Sequence, residues 1–118
     1  MTAPVLVDTD VISYLFKNHP LADTFRPLLS GRNACVALAT VAEIEFGMEV
    51  DAWGDARRDR MRSFLFEFTT LLPDLATARQ WAQIRSECQR LGRRIAPMDA
   101  WIAATAVQYP PAGHQQCS

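Results

Sequence analysis

Short apolar stretches occur at three places in this chain, each beside a helical pattern, and that alternation limits the fold more than any other feature. Val5-Leu6-Val7 ends at Asp8, residues 35–39 run into Thr40, and residues 69–72 stop at Pro73. The first two show no polar alternation, so they read as strands covered on both faces. Thr9 or Asp10 opens a helix carrying Val11, Ile12, Leu15 and Phe16, and residues 21–29 form a second with Pro27 inside it. Thr40 begins a third through Ile44 and Met48, and Met61, Phe64, Leu65 and Phe68 mark a fourth. Asp74 caps the most regular helix, in which Ala78, Trp81, Ile84, Cys88 and Leu91 recur at spacings of three and four before Gly92 ends it. The last helix runs from Asp99 to about Tyr109. Strands separated by helices specify an α/β fold with a parallel sheet and right-handed crossovers. The 118 residues suffice for one such domain and one core, placed at residues 1–109, with residues 110–118 as an irregular Gly/Pro-marked tail.

Three carboxylates stand where these segments change character. Asp8 leaves the first strand, Glu43 follows the second and Asp99 opens the last helix. Singly, each reads as a helix cap; Thr40-Val41-Ala42-Glu43 even matches a capping box. Jointly they point elsewhere, because a parallel sheet collects the residues after its strands at one carboxyl edge. Carboxylates gathered there repel one another unless a cation sits among them. An oxygen-only set selects Mg²⁺ or Mn²⁺ over zinc, and such ions serve phosphodiester hydrolysis. The other numbers exclude more than they suggest. No apolar run approaches the roughly 20 residues of a membrane span, and no basic leader precedes the first strand. Cys35, Cys88 and Cys117 are widely spaced, which fits free thiols in a reducing cytoplasm. The formal charge of -1 leaves any nucleic-acid partner to a local patch. No Gly-rich phosphate loop is present, which argues against a nucleotide-binding α/β domain.

Val5-Leu6-Val7-Asp8-Thr9-Asp10-Val11-Ile12-Ser13 resembles the opening strand and first helix of PIN-domain ribonucleases, and most of all the VapC toxins of bacterial toxin–antitoxin pairs. Thr40-Val41-Ala42-Glu43-Ile44-Glu45-Phe46-Gly47 resembles their second signature, and Pro97-Met98-Asp99-Ala100-Trp101-Ile102-Ala103-Ala104-Thr105 is similar to their third. The resemblance spans about residues 5–109 and implies a PIN-like three-layer α/β/α fold. It implies that Asp8 and Asp99 hold the metal, that Glu43 completes the acidic cluster and that Thr9 supports the Asp8 side by hydrogen bonding. It also implies an endoribonuclease of toxin type acting on structured RNA such as tRNA, a VapB-type antitoxin partner, and homodimers or toxin–antitoxin hetero-oligomers. The chain departs from the family pattern after the last helix. The family continues into another strand and commonly a fourth acid, whereas residues 110–118 carry neither acid nor strand-like run. The expectation is therefore a missing last strand and a weakened metal site. The alternative is a PIN-like module that binds antitoxin or RNA without cutting.

Two arginine clusters offer phosphate contacts: Arg57, Arg58, Arg60 and Arg62, and Arg79, Arg85, Arg90, Arg93 and Arg94. Interspersed acids make both readable as solvated faces. Arg93 and Arg94, close in sequence to Asp99, are the better RNA candidates. Tyr14, Phe16, Leu28, Phe46, Trp53 and Phe64 supply apolar bulk for the core and for a groove that takes a partner helix. His19 and His114 stand alone and are assigned no role.

Overall fold

In the first half of the chain, helix ends set where each strand hands over to its neighbour. The computed structural model describes residues 4–109, so the expectations for the tail, Cys117 and His114 lie outside the described residues. The order is β1 (Pro4–Leu6), α1 (Thr9–Phe16), α2 (Ala22–Leu29), β2 (Asn33–Ala37), α3 (Leu38–Val50), α4 (Asp55–Leu65), β3 (Thr69–Leu71), α5 (Leu75–Arg90) and α6 (Pro97–Gln108). Among the described residues the sheet has three parallel strands in the order β1-β2-β3. Leu6 pairs with Cys35 and Cys35 with Thr69. The Val7 N–H extends the ladder to the Cys35 carbonyl at 2.8 Å, so the chain is still held by β2 one residue before Asp8. The α/β alternation with a short parallel sheet and flanking helices is thus the observed fold.

Asp8 is the cap of α1, accepting the Val11 N–H on Oδ1 at 2.9 Å, in place of the Thr9 or Asp10 start. The second strand ends two residues earlier than expected, because Leu38 and Ala39 join the helix that follows. That shift abolishes the capping box: Ala37 is the N-cap of α3, and Thr40 and Glu43 both lie inside the helix. Asp99 is likewise inside the first turn of α6, behind Ala96 and Pro97, where a negative charge favours the helix dipole. The Asp74 cap is as expected, with a reciprocal bond from Thr77. Gly92 follows α5 at φ +71°. There the Arg93 N–H reaches the Cys88 carbonyl and the Gly92 N–H the Gln89 carbonyl, closing the helix with a left-handed residue that glycine adopts without Cβ strain.

One core unites the first half. Val7, Ile12, Val36, Ile44, Met48, Met61 and Leu65 are buried together, drawn from the residue that follows β1 and from α1, β2, α3 and α4. Phe16, Trp53, Phe64 and Phe68 pack around them, with Phe16 stacked on Trp53 at 5.9 Å between centroids. Arg58 fixes the α3–α4 corner, donating to the Trp53 and Met48 carbonyls and to Glu49. Arg62 grips both Glu45 oxygens, which holds the Glu45 carboxyl below the usual carboxylate range.

The α5–α6 hairpin is built differently. Trp81 stacks on Trp101 at 5.1 Å, and the Trp81 indole N–H donates to the Pro97 carbonyl at 3.1 Å. At the other end Gln108 donates to both Asp74 oxygens, which lowers the Asp74 pKa, and accepts from the Thr77 hydroxyl. Ala100, Ala104 and Thr105 are the buried residues of α6, which packs on α3 and β2. Small side chains at spacings of four and five let the backbones approach closely.

Candidate functional site

Asp8 and Glu43 are joined through the residue between Asp8 and the body of α1. The Thr9 hydroxyl donates to Glu43 Oε1 at 2.6 Å, linking the first turn of α1 to the second turn of α3. The family resemblance implies that Thr9 supports the Asp8 side by hydrogen bonding; the acceptor its hydroxyl meets is Glu43, across the seam, while Asp8 Oδ1 accepts the Val11 N–H. Thr9 and Glu43 are half-buried and Asp8 is exposed, so the acids face outward from a packed base.

Asp99 arrives from the other side. Its neighbour Met98 and Glu43's neighbour Ala42 line one apolar pocket of about 190 Å³, together with Leu38, Pro73, Trp101 and Thr105. Leu38 directly follows β2 and Pro73 lies two residues beyond β3, so this pocket opens at the carboxyl edge of the sheet. Residues adjoining all three acids therefore meet at that edge: Asp8 through Thr9, Glu43 through Thr9 and Ala42, Asp99 through Met98.

The acids do not form a closed cage. Among the described residues, no three His, Cys, Asp or Glu side chains stand close enough to bind one ion together. The donor chemistry nevertheless suits a hydrated Mg²⁺ or Mn²⁺, which takes one or two carboxylates directly and keeps several waters, and needs no all-protein shell. Asp8 and Asp99 are exposed and Glu43 is oriented by a hydroxyl, a set of hard oxygens. Thr40 lies under this edge, fully buried, with an Oγ1 that has no hydrogen-bond partner among the described residues.

Arg93 and Arg94 lie apart from the acids, on the far side of the Trp81–Trp101 stack, where they line a larger groove with Trp81, Arg85, Gln89 and Arg90. Sequence reasoning places Arg85 and Arg90 in a basic cluster without preferring them as RNA contacts, and does not single out Trp81. The signal is present in the four-residue spacing of Trp81, Arg85 and Gln89, masked by the apolar series Trp81, Ile84, Cys88 that shares the helix. Of the aromatic and aliphatic groups expected to line a partner groove, Phe16, Trp53 and Phe64 pack against the core, and Tyr14 stacks with Phe25. Leu28 and Phe46 are exposed, Phe46 at 70 %. His19 closes a local turn, accepting the Leu21 N–H, and is structural. No helix among the described residues is long and apolar enough to cross a membrane.

Comparison with known proteins agrees with this architecture. The PIN domain pattern matches residues 5–109. Ribonuclease VapC2 of Haemophilus influenzae is 29 % identical over 101 residues, covering 86 % of this chain and 76 % of that one. FitAcB from Neisseria gonorrhoeae has a TM-score of 0.71 at 31 % identity, covering 87 % of this chain and 80 % of its own. VapBC2 from Rickettsia felis, bound to a DNA fragment from its promoter, has a TM-score of 0.76 at 17 % identity over 88 % and 80 % of the two chains, a likeness of fold alone. With the three signatures in order, the sheet they imply and a domain match across nearly the whole described chain, this protein belongs to the PIN-domain family and is of the VapC type.

Proposed function

We propose that this protein is a metal-dependent endoribonuclease toxin of a VapBC-type toxin–antitoxin system, cutting structured RNA such as tRNA. The observation that carries the reading is the Thr9–Glu43 hydrogen bond, which draws the Asp8 turn and α3 together beside the pocket that Met98 and Ala42 share. In this reading Asp8 and Asp99 hold a hydrated Mg²⁺ or Mn²⁺ and Glu43 completes the acidic set, held in its rotamer by Thr9. The ion, when bound, supplies positive charge to the phosphoryl oxygens and activates water. The exposed acids keep the site open to a polyanion as bulky as a folded RNA, and Arg93 and Arg94 contact its phosphates. The partner is a VapB-type antitoxin, and the exposed apolar residues Phe46, Val50 and Leu28 are surface available to it or to a second copy of the chain. The open acid arrangement also supports a second reading, a PIN-like module that binds antitoxin or RNA without cutting.

The test incubates purified protein with bulk tRNA and Mg²⁺, beside Asp8→Asn, Asp99→Asn and an EDTA control. Wild type should cleave, and each variant should fall by on the order of a hundredfold or more, as loss of electrostatic stabilisation at a reacting phosphate predicts. Cleavage that survives both substitutions or EDTA removes these acids from the mechanism. A wild type that binds antitoxin tightly and never cuts selects the second reading.

A further inference from the structure

Trp81, Arg85 and Gln89 follow one another on α5 at the four-residue spacing that aligns side chains along a helix, and Arg93 lies beyond the helix end, past Gly92. With Arg90 and Arg94 they line an open groove of about 1110 Å³ at the C-terminal end of α5 and the loop beyond it, and no carboxylate is among the lining residues. Arg90 pairs with Glu87, but Arg85, Arg93 and Arg94 have no carboxylate partner among the described residues. Of the α4 arginines, Arg58 and Arg62 fasten α4 to Glu49 and Glu45 of α3, Arg57 lies over Trp53 at 3.7 Å, and Arg60 stands outside this groove with no carboxylate partner among the described residues. Three arginines without a carboxylate partner, Arg85 among them at 5.0 Å over the Trp81 ring, thus share one concave wall, and a cleft lined by one sign of charge attracts anions.

Shape and spacing specify the anion. The groove exceeds the roughly 300–1,000 Å³ of a small-molecule pocket and is open, which suits an extended ligand. Arg85 and Arg90 are separated by about 7.5 Å of helix rise, and Arg93 and Arg94 add two further charges to the groove beyond the helix end. A row of charges matches a chain of phosphates better than a single one. Gln89, which both donates and accepts, stands within the row and suits ribose hydroxyls. Trp81, on one wall, donates its indole N–H to the Pro97 carbonyl in the same turn of α6 that carries Asp99.

We propose that this groove is a track for the phosphodiester backbone of RNA, distinct from the acidic edge and feeding it. The inference rests on RNA being the substrate. Its test is therefore binding rather than cleavage. Affinity for fluorescently labelled bulk tRNA is measured in EDTA across a salt series for wild type, the triple variant Arg85→Ala/Arg93→Ala/Arg94→Ala, the single variant Arg94→Glu, and Arg60→Ala on α4 as the control. The triple variant should bind at least about tenfold more weakly at low salt, and its log–log salt slope should flatten by about 2 to 3, close to one unit for each phosphate no longer neutralised. Arg94→Glu should weaken binding severalfold, and it carries the test if the triple variant melts at a lower temperature than wild type. Arg60→Ala should match wild type. A triple variant with wild-type affinity and slope overturns the track. So does polyglutamate competing as well as RNA of equal charge, which would assign the groove to an acidic protein segment. Binding that depends on the groove in a protein that never cuts RNA defeats the nuclease reading alone; cleavage with an unaffected triple variant defeats the track alone.

Discussion

The two halves of this domain hold together by different means. From β1 to α4 the chain is organised by buried Val7, Ile12, Val36, Ile44, Met48, Met61 and Leu65, which lock strands and helices around one centre. The α5–α6 hairpin has only Thr77 buried on α5, and relies on the Trp81–Trp101 stack and the Asp74–Thr77–Gln108 network. Asp8 and Glu43 belong to the first kind of structure, Asp99 and the arginine groove to the second. The candidate site is therefore assembled across a seam, and its geometry depends on how firmly α6 sits on α3 and β2.

That contrast can be broken by substitution. Ile12→Ala empties a fully buried position in the first half and should lower the unfolding free energy by about 2–5 kcal/mol, read in a denaturant titration, with both halves melting together. Ala104→Leu overfills the seam from α6 and should cost about 1–3 kcal/mol. Its diagnostic effect is on RNA cleavage, which should fall more than stability does because Asp99 is displaced from Glu43; a variant that cuts normally would show the seam is not what sets the site. Thr40→Val replaces a buried hydroxyl that has no partner with a methyl group of similar size. It should leave the protein unchanged or up to about 1 kcal/mol more stable, and a loss of more than that would reveal a partner for the hydroxyl in solution.

The elements themselves were largely legible. Strand–helix alternation located all three strands within two residues and gave their parallel sense, and Asp74 and Gly92 marked helix ends where the backbone has them. The start of α3 was not legible. Cys35-Val36-Ala37-Leu38-Ala39 is apolar throughout, and period alone does not divide a buried strand from the buried first turn of a helix. Regular period did not bring burial to α5, which packs chiefly on α6 and leaves Leu91 at its end 61 % exposed. For the site, the acids and Thr9 were identifiable by type and context, but the partner of Thr9 was not.

The chain's own order of residues determined the α/β class, the acids beside the strand ends and the family to which they belong, because periodicity and short signatures are local properties. Only the tertiary structure decided that Thr9 serves Glu43, that Arg58 and Arg62 of α4 are engaged by α3 and that Arg85 and Arg90 of α5 line an open groove. These are contacts between residues up to 34 positions apart or along the rim of a docked hairpin, and a hydrogen bond or an ion pair is settled by which neighbour the packed backbone brings within about 3 Å, which spacing in sequence does not encode.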